Sequence, residues 1–467
     1  MSAIEAAPAF TPFEPAAPKP RPTPPANLAF LRSVAVLPKL IRNPLEAFSE
    51  DAFQDPVAFT QVFNQPMVLL HDPAAIRAAF VDHAEHIKPD RVRQTVLKPA
   101  LRDGLLTAEG ALWKRSRRTL APVFAPRHVN GFSSSMIANA RTFAQELAAQ
   151  PGEHGISEAM STLAYRVLSA TLFSGDIDRD TEQVLADVSH FLEHLSHPDP
   201  LDFLGAPSWM PRLTKLRGHA ALARLRQTVR ETARQRMGRI EAGDEVPSDF
   251  LTLLLQAGEE GDAPLTMDEV EDNIITFIAA GHETTARALA WTLYLLSQDS
   301  DARQRCEAEA DALDTSQPGQ DWAEQAPWIM ACFEEAMRLF PPAPLIARES
   351  IQDFKLGDIS IAKGMAIMTS PYVLHRHQLL WDNPALFNPH RFYGEARKAI
   401  DRFAYLPFGM GPRVCIGQRF AMQEAVIILV ELLRTLRFDY AADKAPWPIM
   451  RITIQPDNGM PMRVSPR

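Results

Sequence analysis

FGMGPRVCIG, residues 408–417, is the stretch that decides the fold, and it ends just before a strongly apolar helical pattern. Cys415 stands where this loop turns into the helix. Its sulfur would therefore meet the positive end of the helix dipole and several unpaired backbone N–H groups. These groups favour thiolate over thiol, and a thiolate is a strong, soft metal ligand. The stretch therefore predicts a metal-ligand loop.

The residues around Cys415 indicate which metal group such a loop suits. Glycines at positions 409, 411 and 417 allow tight bends and close approach to a flat partner. Arg413 places a cation beside the ligand. A Gly-rich loop with one cysteine and a flanking arginine suits a haem iron held by a single axial thiolate. The alternative is a buried cysteine in a Gly-rich turn.

The loop resembles the signature of the cytochrome P450 family, Phe-x-x-Gly-x-Arg-x-Cys-x-Gly, which is matched at Phe408, Gly411, Arg413, Cys415 and Gly417. The resemblance implies a mainly α fold with small β-sheets that encloses haem b. It also implies that Cys415 is the iron ligand and that Phe408, Arg413 and Gly417 belong to the haem-binding set.

Composition limits the function classes. The chain has 467 residues, of which 46% are hydrophobic and 22% charged, as in globular proteins with a sizeable core. A net charge of −9 argues against a nucleic-acid partner, because binding phosphates needs an excess of cations. Three cysteines without paired spacing indicate neither a disulfide framework nor a zinc site, which fits a reducing cytoplasm.

The N-terminal region is rich in Pro and Ala and lacks the apolar core of a signal peptide. We expect residues 1–26 to form a flexible arm and residues 27–467 a single haem-thiolate catalytic domain. Asn27–Leu40 is amphipathic enough to touch a membrane, although packing against the protein is the alternative. No uncharged apolar run reaches about 18 residues, so we expect no transmembrane helix. Because eukaryotic members of the family usually carry an N-terminal membrane anchor, the resemblance implies a bacterial-type cytoplasmic protein. We also expect a monomer.

Coarse patterns organise the middle of the chain. Residues 59–70 predict two short strands around a turn. Lys88–Leu106 has no sustained period and mixes charge with Pro and Gly, which predicts a loop, and in the family this loop covers the substrate. Residues 131–255 are expected to be mainly helical, with an interruption at 198–211 that could form a mobile lid. We expect the residues that determine which substrate is bound to lie within 131–255.

Trp113 and Arg117 fall four residues apart on a predicted helix over Leu112–Phe124 and therefore share a face. Both side chains are pure hydrogen-bond donors, which suits a carboxylate. An ordinary amphipathic helix with a half-buried tryptophan is the alternative. The pair matches the family's Trp-x-x-x-Arg pattern, and the resemblance implies that it binds the haem propionates.

A capping-box pattern at Thr266–Glu269 predicts a helix that continues to about Ser297. Residues 279–285, AAGHETT, lie near its middle, where we expect local distortion at the glycine and threonines. The string resembles the family's oxygen-activating motif. The resemblance implies that Ala280 contacts haem and that Glu283 and Thr284 pass protons to oxygen. A tolerated glycine followed by harmless threonines is the alternative.

Glu335 and Arg338 are spaced i, i+3 on a helix predicted over Pro327–Phe340. In the family such a pair joins an arginine from a Pro-x-Arg-Phe segment, here Arg391, to form a structural network that braces the ligand loop. An exposed pair of little consequence is the alternative. Arg348 follows an extended segment and is a candidate partner for a propionate.

Taken together, the resemblance implies a haem-thiolate monooxygenase that hydroxylates or epoxidises an apolar small molecule with O₂. Its electrons would come from NAD(P)H through a separate ferredoxin or flavodoxin-type donor, because no flavin or iron–sulfur segment is expected. We expect the donor to dock on Arg115, Arg118, Arg413 or Arg419. A peroxide-driven or isomerising haem-thiolate enzyme and a non-catalytic haem sensor or ligand carrier are the alternatives.

Overall fold

The computed structural model describes residues 13–22, 38–62, 65–176, 187–188, 219–257, 265–316 and 319–467. The interruption expected at 198–211 and most of the amphipathic segment at 27–40 lie outside the described residues.

Helices dominate the described chain, and its strands are short, which confirms the mainly α fold. The helices are α1 Pro73–Arg77, α2 Arg91–Leu101, α3 Gly110–Leu120, α4 Pro126–Gly131, α5 Ser133–Ala149, α6 Ile156–Phe173, α7 His219–Ala242, α8 Phe250–Gln256, α9 Met267–Gln298, α10 Ser300–Ala312, α11 Trp322–Gln325, α12 Pro327–Leu339, α13 Pro371–Leu374, α14 Glu395–Ala399 and α15 Gln418–Thr435.

The strands form four small sheets. They are β1 Val57–Val62, β2 Gln65–Leu70, β3 Ile87–Pro89, β4 Gly152–Gly155, β5 Ile346–Ser350, β6 Phe354–Leu356, β7 Ile359–Ile361, β8 Ala366–Thr369, β9 Leu436–Tyr440, β10 Pro448–Met450, β11 Ile454–Pro456 and β12 Pro461–Pro466.

The largest sheet has the order β1-β2-β8-β5-β3, and its only parallel pair among the described strands is β2 with β8. The predicted hairpin is present, with Val57 opposite Leu70. The order β4-β12-β9 forms a second sheet, and β6-β7 and β10-β11 are separate two-stranded pairs.

The long helix α9 is the centre of the fold. Its capping box is present: Thr266 N–H donates to Oε2 of Glu269, and Glu269 N–H donates to the hydroxyl oxygen of Thr266. Most of its residues are buried, and it packs against α6, α7, α12 and α15. A helix that is apolar on most faces belongs inside a core. The predicted helix from 266 to about 297 is confirmed.

The local distortion expected at residues 279–285 is wrong at the level of secondary structure, because α9 is continuous through them. The hydroxyl groups of Thr284 and Thr285 do bond to the carbonyls of Ala280 and Gly281. A Cβ at position 281 would lie 3.2 Å from Cδ2 of Leu168 on α6. Close packing of α6 therefore explains the glycine without a break in the helix.

The loop predicted over Lys88–Leu106 is also wrong in part, because this region contains strand β3 and the eleven-residue helix α2. No periodic signal was available, and Pro99 lies inside the helix. The helix is held from outside instead, since the carbonyl of Ala100 accepts from Arg226 and the Gln94 amide donates to Thr107 O. Tertiary contacts here override weak local preference.

Part of the predicted N-terminal arm lies on the body of the protein. Phe13 forms a bridge with Phe387 and meets the ring of Tyr294 edge-on, at a centroid distance of 6.4 Å. Arg21 donates from Nε and Nη2 to the carbonyl of Ala47. Residues 13–22 are therefore docked. Among the described helices, none combines the length and apolarity that crossing a bilayer requires.

A substitution at Trp291 tests how strongly the stability of the core depends on the packing of α9. Its ring stacks on Phe340 at a centroid distance of 3.8 Å, and its indole N–H donates to the Ile454 carbonyl. Trp291→Ala should lower the free energy of unfolding by about 3–5 kcal/mol, because it leaves a cavity and an orphaned acceptor. Denaturant unfolding measures this. Leu379→Ala, at a side chain 70% exposed, is the control. A loss below about 1 kcal/mol in Trp291→Ala would contradict the central role of α9.

Candidate active site

The loop before α15 is shaped by two glycines and one backbone hydrogen bond. Cys415 N–H donates to Phe408 O at 2.9 Å, which closes the loop. Gly409 and Gly411 have φ values of +75° and +67°, a region that residues with a side chain rarely adopt. A Cβ at position 411 would lie 2.2 Å from Phe80 O. The loop therefore packs directly on the segment 78–82.

Cys415 is an exposed residue, although protein atoms crowd its thiol, whereas Cys306 and Cys332 are buried thiols with their sulfur atoms 3.5 Å apart. Closely surrounding protein raises the pKa of the Cys415 thiol, and the Gly417 N–H and the Arg117 guanidinium oppose this rise only in part. The Gly417 N–H at the helix start lowers the pKa, in the expected direction, but desolvation is the larger effect and the net pKa is raised. A bound metal cation would displace the proton, since coordination deprotonates a thiol.

Helix α3 brings Trp113 and Arg117 towards the same place as Cys415. Within the described residues, Arg117 makes no hydrogen bond or ion pair to protein, and burial lowers its pKa while the cysteine sulfur opposes the change. Arg413 lies over the Trp113 ring at 4.4 Å, and its Nη2 donates to Ala108 O at 2.7 Å. A half-buried guanidinium beside the sulfur, with no protein acceptor, fits an anionic group such as a haem propionate.

Helix α9 forms a wall of the candidate site. Ala280 is exposed and Thr284 partly exposed, although most of this helix is buried. The Thr284 hydroxyl donates to Ala280 O at 2.8 Å. An opening in the middle of a buried helix indicates a cavity against it, and the hydroxyl lies at that opening.

Glu283 is held differently from Thr284. Its side chain is buried, Oε1 accepts from the Thr453 hydroxyl at 3.0 Å, and Nη2 of Arg287 lies 3.5 Å away. The acid and the alcohol are thus adjacent in sequence, but the carboxylate is engaged with the loop between β10 and β11. The neighbouring Thr285 faces another buried acid, Glu424, whose pKa burial raises to about 8.

Glu335, Arg338 and Arg391 come together as a buried network. Glu335 accepts from Nε and Nη2 of Arg338 at 2.7 and 2.8 Å, and Nε of Arg391 lies 3.6 Å away. Glu335 also accepts from Asn388 N–H. The remaining donors of Arg338 bond to the carbonyls of residues 375, 384 and 386. All five N–H donors of this guanidinium are matched, so burial leaves none unsatisfied.

His375 connects this network to the ligand loop, and sequence reasoning missed it. Its carbonyl accepts from Arg338, and its Nε2 accepts from Leu406 N–H at 2.8 Å, two residues before Phe408. Burial and nearby arginines lower the pKa of His375 well below its usual value, so it accepts as a neutral ring. No motif in the sequence distinguishes His375 from His377.

Four further residues near the site differ in how far the sequence indicated them, and Arg348 was already a candidate. Arg348 lies buried on β5 with Nη1 donating to Ala347 O at 2.7 Å, close to the predicted extended segment. Arg287 follows Glu283 by four residues, a helical pairing that the sequence could have suggested. Thr453 and Glu424 are brought to the motif only by the fold, with no sequence signal.

The described residues fit haem: an exposed cysteine, a guanidinium without a protein acceptor beside it, and an opening in α9. The Cytochrome P450 family model matches residues 22–461. The chain belongs to the cytochrome P450 family. It is 29% identical to cytokinin hydroxylase from Arabidopsis thaliana over 412 residues, covering 86% of this chain and 79% of that protein. It is also 29% identical to cyclooctatin synthase from Streptomyces melanosporofaciens over 399 residues, covering 84% and 85%.

The fold comparison agrees with the family. The crystal structure of the cytochrome P450DA heme domain superposes with a TM-score of 0.79 at 25% identity, covering 97% of this chain and 99% of that one. The chain is therefore a P450 monooxygenase whose cofactor is haem b and whose co-substrate is O₂. Its electrons come from NAD(P)H through partner proteins.

Glu335→Ala tests the buried network. It removes one partner of a fully buried ion pair, so the free energy of unfolding should fall by about 3–5 kcal/mol and the haem content should also fall. Denaturant unfolding and the haem-to-protein absorbance ratio measure these effects. Glu395→Ala breaks a pair of the same i, i+3 spacing with Lys398, both highly exposed, and should change neither. Full haem content and unchanged stability in Glu335→Ala would show that the network is dispensable.

Proposed function

We propose that this P450 inserts one oxygen atom into an apolar small molecule by hydroxylation or epoxidation, with a separate ferredoxin or flavodoxin-type protein as electron donor. The carrying observation is the placement of Thr284, whose hydroxyl lies at the opening in α9 while the carboxylate of Glu283 stays buried beside it. An alcohol at the cavity backed by an acid suits controlled proton delivery.

Haem held through Cys415 would supply the binding and reductive activation of O₂. The protein's part is to place protons. The Thr284 hydroxyl donates to Ala280 O, which leaves its oxygen lone pairs directed to accept a hydrogen bond at the cavity. Glu283 is held by Thr453 and Arg287, so it must leave these partners to exchange a proton. The ion pair between Glu283 and Arg287 would then keep the Glu283 carboxylate out of the pocket between turnovers.

Apolar side chains at the margin of the core support an apolar substrate. They are only partly buried where they pack against the main core, and two of them belong to α9 and to the ligand loop. Such a surface favours a hydrophobic ligand. The residues include Val96, Leu106, Ala279 and Phe408.

The rival activities differ in what they need from Glu283 and Thr284. A peroxide-driven or isomerising enzyme needs no electron donor, and a haem sensor or carrier needs no proton path. Steady NAD(P)H-dependent product formation with a surrogate ferredoxin and its reductase would support the monooxygenase. Product from peroxide alone, or ligand binding without turnover, would favour the rivals.

Thr284→Ala should separate electron use from product formation. Electron transfer needs no alcohol, so NAD(P)H consumption should continue while product falls about tenfold and hydrogen peroxide rises. A tenfold loss corresponds to about 1.4 kcal/mol of barrier. The substrate used is the compound from a lipid, terpene and aromatic library that gives the largest spectral shift.

Thr292→Ala is the matched control, because Thr292 makes the same hydroxyl bond to a carbonyl four residues back, two turns further along α9. It should leave coupling unchanged. Equal coupling of NAD(P)H to product in Thr284→Ala and the wild type would remove the proton-delivery role.

The electron donor is expected to dock near the start of α15. Arg115 does not serve, since it forms an ion pair with Glu269 and is only partly exposed. Arg413 is engaged with Ala108 and Trp113. Arg419 remains as an exposed cation at the second residue of α15, with Arg118 exposed on α3. In a protein of net charge −9, attraction of an acidic partner has to be local.

Arg419→Glu should slow reduction by an acidic ferredoxin, with the strongest effect at low salt and a smaller effect above about 0.1 M, where the Debye length is about 10 Å. Stopped-flow reduction under carbon monoxide measures the rate. Arg437→Glu is the control, because this exposed arginine lies on β9 just beyond the far end of α15, and the helix from Arg419 to Thr435 is about 24 Å long. Equal, salt-independent rates in both variants would contradict docking at Arg419.

A further inference from the structure

Two histidines and a glutamate lie together in the turn that leads from the segment 78–82 into β3. They are His83, Glu85 and His86, and one ligand atom from each lies within 4.8 Å of the other two. Among the described residues, this is the one group of three His, Cys, Asp or Glu side chains that is spaced closely enough to share a metal ion. The group contains no residue of the haem site.

The backbone explains why the two imidazoles lie side by side. Ala84–His86 forms a single 3₁₀ turn, in which His86 N–H donates to His83 O at 2.9 Å. Side chains three residues apart eclipse each other in this geometry. The two rings accordingly stack, with their centroids 5.2 Å apart and their planes inclined by 25°. The turn therefore presents both imidazoles on the same side.

Contacts with neighbouring strands hold this turn in place. The carbonyl of His86 accepts from Ile351 N–H at 2.9 Å, and β3, which begins at the next residue, pairs with β5. The ring of Phe354 on β6 packs against both imidazoles, with its centroid 5.4 Å from that of His83 and 5.3 Å from that of His86. The ligands are thus partly preorganised, which reduces the entropy that they lose when a metal binds.

The spacing of Glu85 and His86 already matches one edge of a zinc site. Oε1 of Glu85 lies 3.4 Å from Nε2 of His86. With Zn–N and Zn–O distances of about 2.0–2.2 Å, two ligands of a tetrahedral Zn²⁺ ion lie about 3.4 Å apart. The ligand atom of His83 lies within 4.8 Å of those of the other two residues, so a modest rotation of its side chain brings it to the same spacing.

Both imidazoles are available to a metal ion. Within the described residues, the His83 ring makes ring contacts but no hydrogen bond or ion pair, and Nδ1 of His86 is buried without a partner. Binding would therefore replace only the contact between Glu85 and His86. The Glu85 side chain is 65% exposed and that of His86 24% exposed, so an ion can enter from solvent and keep a water ligand.

We propose that His83, Glu85 and His86 form a binding site for Zn²⁺, separate from the haem iron. Two imidazole nitrogens and one carboxylate oxygen supply three ligands, and water completes the tetrahedron. Imidazole ligands favour Zn²⁺ over Mg²⁺ and Ca²⁺, which prefer oxygen ligands. A bound ion would brace the turn directly after the segment 78–82, on which the cysteine loop packs. The site does not depend on the reaction proposed above.

Zn²⁺ binding is measured on the haem-loaded protein, in which Cys415 is occupied, after a chelator has removed other metals. Titration against a chromogenic zinc indicator gives the affinity, and native mass spectrometry counts the ions. His83→Ala and Glu85→Gln should each weaken the binding of Zn²⁺ at least about tenfold, since losing even an outer hydrogen-bond partner of a zinc ligand costs about 10–100-fold. Zn²⁺ should also protect the His83 and His86 rings from carbethoxylation by diethyl pyrocarbonate, which peptide mass spectrometry locates.

Matched controls are His154→Ala and Glu153→Gln. These two residues are neighbours on β4 and carry the same ligand types, but in the part of the chain that the structure describes they belong to no group of three ligands. Both controls should leave the Zn²⁺ affinity and the protection of His83 and His86 unchanged.

Haem content and thermal unfolding without Zn²⁺ show whether each variant is folded. Weaker binding in His83→Ala and Glu85→Gln, with both controls like the wild type, supports the site. If His83→Ala does not retain haem, Glu85→Gln decides, because it keeps the size of an exposed side chain. A wild-type protein that binds Zn²⁺ no more tightly than a folded Glu85→Gln variant would overturn the proposal, as would an equal loss of affinity in His154→Ala.

Discussion

The desolvated ion pair between Glu335 and Arg338 is the interaction on which the site depends. Both side chains are fully buried, where an unmatched charge would cost several kcal/mol. The protein avoids that cost by directing every donor of Arg338 to an acceptor, three of them backbone carbonyls from 375–386. The pair therefore organises a long irregular stretch that has little regular secondary structure of its own. His375 links this stretch to the cysteine loop, because its Nε2 accepts a hydrogen bond from Leu406 N–H.

Electrostatics at the site follow from burial. Desolvation raises the pKa of the Cys415 thiol and raises that of Glu424 to about 8. It also lowers the pKa of Arg117. Each group is thereby pushed towards its neutral form, although Arg117 remains charged at neutral pH. A site built in this way gains from a cofactor that brings a cation for the sulfur and an anion for the guanidinium, because both desolvated groups then acquire partners.

Helix α9 meets two requirements that conflict in an ordinary helix. It has to fill the core, and it has to leave an opening at Ala280 and Thr284. The Leu168 side chain of α6 packs against Gly281 on one side, while the hydroxyl–carbonyl bonds let threonines remain in a continuous helix. The segment between α2 and α3 also bonds to this helix, because Asp103 N–H and Leu105 N–H donate to Asp272 and Asn273. One element thus supports both the opening and the segment that packs beside it.

Local sequence was enough for the features that depend on local chemistry. The cysteine loop follows from its glycines and from the helix after it. The capping box at Thr266 and Glu269 predicted the start of α9, and the spacing of Trp113 and Arg117 placed them on one face. The resemblance carried by these motifs was enough for the family, the mainly α fold and the haem cofactor, because each motif keeps its chemistry within a few residues.

Tertiary structure decided what depends on residues far apart in sequence. The sequence could not show that burial outweighs the helix start in setting the pKa of Cys415, because desolvation depends on every chain segment around the sulfur. It could not show that Arg115 is taken by Glu269, or that Glu283 is held by Thr453. It predicted a loop where α2 forms, because that helix is held by Arg226, 126 residues beyond Ala100. Such contacts leave no periodic pattern, since their energy comes from partners that only the fold brings within reach.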